Sequence, residues 1–67
     1  MAAIALDDEV ELHGGIIGTV VEVISTEIQN YVMISYSIGK DIQTTTRETK
    51  NLVEVEPNKF KQQGASF

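Results

Sequence analysis

The sequence predicts an all-β domain, a small barrel of five short strands, from three observations. Apolar and polar residues alternate with period two in several short segments. Val, Ile and Thr are concentrated in those segments, and glycine-containing breaks separate them. No stretch carries a helical period, and 67 residues suffice for one domain with one small core.

Residues 9–12 (Glu-Val-Glu-Leu) alternate cleanly and predict a first strand with Val10 and Leu12 facing inward. His13-Gly14-Gly15 breaks the pattern, since paired glycines supply the positive φ angles of a tight connection. Residues 16–25 form the longest predicted strand, with Gly18 marking a bulge or a close backbone approach. Residues 26–30 loosen the pattern and residues 31–36 resume it. In that third strand Val32, Ile34 and Tyr36 share one face and Tyr31, Met33 and Ser35 the other.

Ser37-Ile38-Gly39-Lys40 reads as a hairpin with Gly39 left-handed, leading into a threonine-rich fourth strand at residues 41–47. The polar residues 48–51 are too few for a stable helix and predict a single 3₁₀ turn before the fifth strand, Leu52–Glu56. Pro57 lacks a backbone N–H and is expected to end that strand. The chain then divides into a leader (residues 1–7), a barrel (8–56) and a C-terminal tail (57–67), frayed or at most one helical turn.

The order Val10-x-Leu12, Gly14-Gly15, Gly18-Thr19-Val20-Val21-Glu22-Val23, Tyr31-Val32-x-Ile34-x-Tyr36 and Leu52-Val53-Glu54-Val55 resembles small SH3-like barrels of the KOW and Tudor-like kind. It is also similar to the SH3-like stromal subunit of photosystem I and to short bacterial and phage proteins of that shape. The resemblance implies a five-stranded SH3-like barrel and, through the KOW kind, a module that binds RNA or the ribosome with basic loops. Glycine and valine spacings of this sort follow from the barrel itself, so they bear on fold more than on function.

Composition narrows the functional classes. Ten acidic residues against five basic ones give a net charge of −5, which repels phosphate backbones. Residues 1–27 hold Asp7, Asp8, Glu9, Glu11, Glu22 and Glu27 with no Lys or Arg. An acidic mimic of DNA that inhibits a nucleic-acid enzyme would need those six carboxylates on one face. Cysteine is absent, so neither disulfides nor thiolate metal ligands hold the domain. The longest uncharged apolar run, residues 1–6, is far short of a membrane span, and the cytoplasm is the default compartment.

No catalytic constellation is legible, and no cofactor is expected. The chain has one His, no Cys, no G-x-S-x-G step, no P-loop and no H-E-x-x-H, so it reads as a non-enzyme. Asp7, Asp8, Glu9 and Glu11 form an oxygen-rich run of the type that attracts calcium. Alternation sends Glu9 and Glu11 to solvent, however, and the spaced D-x-D-x-D-G ligand loop is missing, so a solvated edge is the reading. His13 could act as a pH-responsive contact, but before Gly-Gly it reads as a turn residue. Arg47, Lys50, Lys59 and Lys61 read as ordinary surface, with Glu48 among them.

The most informative functional feature is an apolar surplus. Val10, Leu12, Val20, Val23, Val32, Ile34, Tyr36, Leu52 and Val55 make a core, provided that the second strand bends or bulges between Val20 and Val23. Ile16, Ile17, Val21, Ile24, Ile28, Met33, Ile38, Val53 and Phe60 have no assured inward place. Some of them can cap the barrel ends or lie under the leader and tail. Val21 and Met33 would share an outer face, and with Ile24, Ile38 and Val53 they form the expected partner surface. The sequence therefore predicts a non-catalytic interaction or assembly module that binds another protein or itself through an apolar patch and strand edges.

Overall fold

The alternation at the start of the chain forms β1 (Glu9–Glu11) in the computed structural model, which describes residues 3–63. A 3₁₀ turn (His13–Gly15) follows, with Gly14 and Gly15 both at positive φ. Then come β2 (Ile17–Ser25), β3 (Asn30–Ile38), β4 (Asp41–Glu48), a second 3₁₀ turn (Thr49–Asn51), β5 (Leu52–Glu56) and β6 (Lys59–Gln62). The 3₁₀ turn ahead of β5 stands where the sequence places it. The strands form one sheet in the order β4-β3-β2-β1-β6-β5. All neighbours are antiparallel except β1 and β6, which run parallel.

The expected five-strand closed barrel is corrected on two points: there are six strands, and the sheet is open, with β4 and β5 at its two edges. The sixth strand replaces part of the expected tail. Pro57 turns the chain rather than ending it. Glu56 pairs with Lys59 across the two-residue loop Pro57-Asn58, and Asn58 sits at φ 66°, the proline-then-left-handed combination of a type II turn. The hairpin between β3 and β4 uses the mirror arrangement, with Gly39 at φ 61° in the first position of the loop Gly39-Lys40.

Residues 4–7 of the expected leader also join the packed unit. The Asp7 N–H donates to the Val20 carbonyl and the Val20 N–H to the Asp8 carbonyl, each at 2.9 Å. The buried Asp8 carboxylate accepts the Ala5 N–H at 2.9 Å, and this turn lays Ile4 against the core. Residues 1–2 of the leader and 64–67 of the tail lie outside the described residues.

The core consists of Val10, Leu12, Val20, Val32, Ile34, Leu52 and Phe60, with Ile4, Ile16 and Tyr36 packed against it. Its centre is the crossing of β1 with β2 and β6, where Val10 lies opposite both Gly18 and Phe60 and is fully buried. Gly18 is a close approach. A Cβ there would overlap Ile34 Cγ2 and come within 2.9 Å of the Ser35 carbonyl oxygen. The bulge in β2 falls further on. Val20 pairs with Ile34 and Glu22 with Met33, so Val21 is the extra residue, and Val23 returns to the core face opposite Val32.

Three expected core assignments change. Val23 lies on the core face but remains 42% exposed, because the open sheet leaves that end uncovered. Val55 is 57% exposed, because a second register shift between Glu54 and Glu56 leaves it without a partner in β6. Phe60, expected as surplus, is buried on β6.

Two substitutions test this packing by urea denaturation. Gly18→Ala should destabilise by about 1–3 kcal/mol, since the inserted methyl meets backbone as well as a side chain. Phe60→Ala should cost about 3–5 kcal/mol, enough to unfold a domain of this size, whereas a dispensable tail would tolerate it.

Candidate functional site

An open sheet exposes unpaired backbone N–H and C=O groups along both edge strands, and proteins usually blunt such edges with short strands, bulges, charges or proline. β5 carries all of these. It has five residues, a register shift between Glu54 and Glu56, two carboxylates and Pro57 at its end. β4 is built differently. It is eight residues long, pairs with β3 from end to end without a register shift, and has no charge or proline between Asp41 and Arg47.

The hairpin fixes which groups of β4 are open. A two-residue loop makes its closing pair, Ile38 and Asp41, a hydrogen-bonded pair, and such pairs alternate along an antiparallel ladder. Asp41, Gln43, Thr45 and Arg47 therefore direct their amides at β3. Ile42, Thr44, Thr46 and Glu48 direct theirs outward, and among the described residues no strand pairs with that side. Ile42 is 75% exposed there. Arg47 lies at the end of this edge. Its Nη1 donates to Thr45 Oγ1 at 2.5 Å and to the Thr46 carbonyl at 2.9 Å, while its Nε is buried without a hydrogen-bond partner.

The residues that the sequence singles out for a partner surface do not form one patch. Val21, Met33 and Ile24 gather on the outer face of β2 and β3: Val21 is the exposed bulge residue, Met33 lies opposite Glu22, and Ile24 opposite Tyr31. That face continues onto β4 through the pair Met33–Thr46. Ile38 stands at the hairpin end opposite Asp41. Val53 is on β5, with β1 and β6 between it and the Val21–Met33 group. The β4 edge is absent from the sequence reading. Its one legible signal is the uncharged run Ile42-Gln43-Thr44-Thr45-Thr46, but composition does not reveal which strand will lie at an edge.

The core face opens at one end into a cleft of about 460 Å³ walled by Ile4, Val23, Leu52, Val53 and Phe60, with Glu54 at its rim. This is where the open sheet leaves apolar surface uncovered. The cleft also receives Ser25, Asn30 and Thr49, so its mouth is polar.

Charge is more evenly mixed than the sequence suggests. The parallel pairing of β1 with β6 sets Glu9 beside Lys59 and Glu11 beside Lys61, while Asp8 is turned inward. Lys50 forms an ion pair with Glu48 at 3.3 Å and Lys59 with Glu56 at 3.6 Å. The N-terminal carboxylates are thus interleaved with the C-terminal lysines. Among the described residues no three His, Asp or Glu side chains converge on a point that would hold a metal ion. His13 lies in the exposed first 3₁₀ turn. No helix of the described residues is long and apolar enough to cross a membrane. Compared with known proteins, the chain matches no family model, no curated protein and no solved structure.

Proposed function

We propose that this protein is a non-catalytic interaction module that takes up an extended segment of polypeptide as an added strand beside β4. The observation that carries the reading is the contrast between the two sheet edges. β5 is short, bulged and acidic, whereas β4 is long, free of bulges and uncharged over its centre. Main-chain hydrogen bonds to the outward groups of Ile42, Thr44 and Thr46 would supply affinity, and alternate side chains would supply selectivity. On the outer face those side chains would meet Ile42, Thr44 and Thr46, continuous through Thr46 with Met33 and then with Val21 and Ile24.

The SH3-like kinship belongs to the same proposal. The Gly18-Thr19-Val20 step and the 3₁₀ turn ahead of β5 support it, with the sixth strand and the open edge as this chain's own departures. Such small β domains serve widely as binding modules, and a site on an exposed strand suits that use.

Proline separates edge binding from folding. The Thr44 amide faces outward, so Thr44→Pro should keep the β3–β4 ladder and block an added strand. Thr45→Pro should instead remove a ladder bond and lower the unfolding midpoint by the equivalent of about 1 kcal/mol or more. Short random peptides displayed on phage, selected on the wild type and counter-selected on Thr44→Pro, should yield binders whose amide shifts map to Ile42, Thr44 and Thr46. Binders that map elsewhere, or that bind Thr44→Pro equally well, would overturn the proposal.

A further inference from the structure

We infer that the strand taken up beside β4 is β4 of a second copy of the chain, antiparallel and in the one register that places Thr44 opposite its own counterpart. The inference rests on the edge reading above and names the partner.

Geometry first reduces the registers. In an antiparallel ladder, outward-directed residues must face outward-directed residues, so Ile42, Thr44, Thr46 and Glu48 can meet only one another or the equivalent Lys40 position of the other copy. This removes every register that sets an even-numbered residue against an odd-numbered one, including the one that would pair Asp41 with Glu48. Charge then chooses among the rest. With Thr44 on the two-fold axis, Ile42 faces Thr46, Gln43 faces Thr45, Asp41 faces Arg47 and Lys40 faces Glu48. Each of the four charged positions meets its opposite, and symmetry repeats every pair. Moving to the register centred on Thr45 sets Lys40 against Lys50 and gives Arg47 only Gln43, and the register centred on Gln43 sets Asp41 against Thr45 and Arg47 against Gly39. The Thr44 register alone pairs every charge.

The side chains agree with that choice. Asp41 and Arg47 occupy non-hydrogen-bonded positions of the new ladder, where opposed side chains come closest. A carboxylate arriving there supplies an acceptor beside Arg47, whose Nε is buried and unpartnered in the single chain. On the outer face, Ile42 of one copy lies against Thr46 of the other and thereby extends the row formed by Met33 and the Val21 bulge.

The arrangement also stops at two. Pairing β4 with β4 is isologous and closes on itself, and the edges left on the joined sheet are the two β5 strands, both short, bulged and acidic. Assembly ends at a dimer rather than continuing into a fibre.

A charge swap tests the register as well as the surface. By sedimentation equilibrium the wild type should dimerise. Asp41→Arg and Arg47→Asp should each weaken self-association roughly tenfold or more, because each sets like charges opposite each other twice. Mixed together, the two variants should form a heterodimer near wild-type affinity, and the double variant Asp41→Arg/Arg47→Asp should regain self-association. Should Arg47→Asp fail to fold, Lys40→Glu with Glu48→Lys poses the same question at the other charge pair. A wild type that stays monomeric up to millimolar concentration, or a dimer indifferent to both swaps, would overturn the inference. If displayed peptides still map to β4 in that case, the edge reading stands and only the identity of the partner falls.

Discussion

The parallel pairing of β1 with β6 is the interaction on which the rest of this structure depends. β1 has only three residues, yet it is paired on both sides, and Val10 at its centre is fully buried between Gly18 and Phe60. One side joins β1 to the β2–β3–β4 meander and the other to the β5–β6 hairpin. A two-stranded hairpin such as β5–β6 is marginal in water on its own, and a domain of this length has only a small core to hold it. The same pairing decides the surface. It sets Glu9 and Glu11 beside Lys59 and Lys61, and it sends β5 to one edge of the sheet and β4 to the other.

From that placement the functional asymmetry follows. An open sheet must have two edges, and here the sequence treats them unequally: the bulge and Pro57 fall on β5 or its end and its carboxylates lie within its five residues, while β4 keeps its charges at its ends and presents five uncharged residues between them in an unbroken ladder. A strand added to β4 would lengthen the sheet and cover part of the exposed Ile42 without disturbing the seven-residue core. Because such a strand binds only the folded form, it would also stabilise a small domain by mass action. Stability and recognition are then coupled through one edge.

Four of the first five strands were legible because each carries two or more apolar residues in alternation between turn signals, as in Val10 with Leu12 and Val32 with Ile34, and β4, with Ile42 alone, was legible from its three threonines and the glycine hairpin ahead of it. β6 was not. Its two core-side residues are Phe60 and Gln62, so only one apolar residue marks a four-residue strand, and Pro57-Asn58 reads as a terminator until the type II turn is seen. The bulge in β2 could be deduced from the Val20–Val23 spacing. The bulge in β5 could not, because Val53-Glu54-Val55 alternates without a break; that alternation, started from an inward Leu52, points Val55 outward with Val53, so placing Val55 in the core ran against the pattern. The partner surface suffered from the same gap. Val21, Met33 and Ile24 do meet on one face, but Val53 and Ile38 are carried elsewhere by a strand order that depends on contacts between distant segments. Periodicity reports which way a side chain points and is silent on which strand lies next.

The central claim is that β4 is an edge kept open for β4 of a second copy, and amide hydrogen exchange measured over a range of protein concentrations tests it most directly. The account predicts that the amides of Ile42, Thr44 and Thr46 exchange rapidly in dilute solution and become protected as concentration rises, while the unpaired amides of β5 stay fast. Exchange at those three positions that remains at the unprotected rate at every concentration, or protection that rises equally along β5, would contradict it.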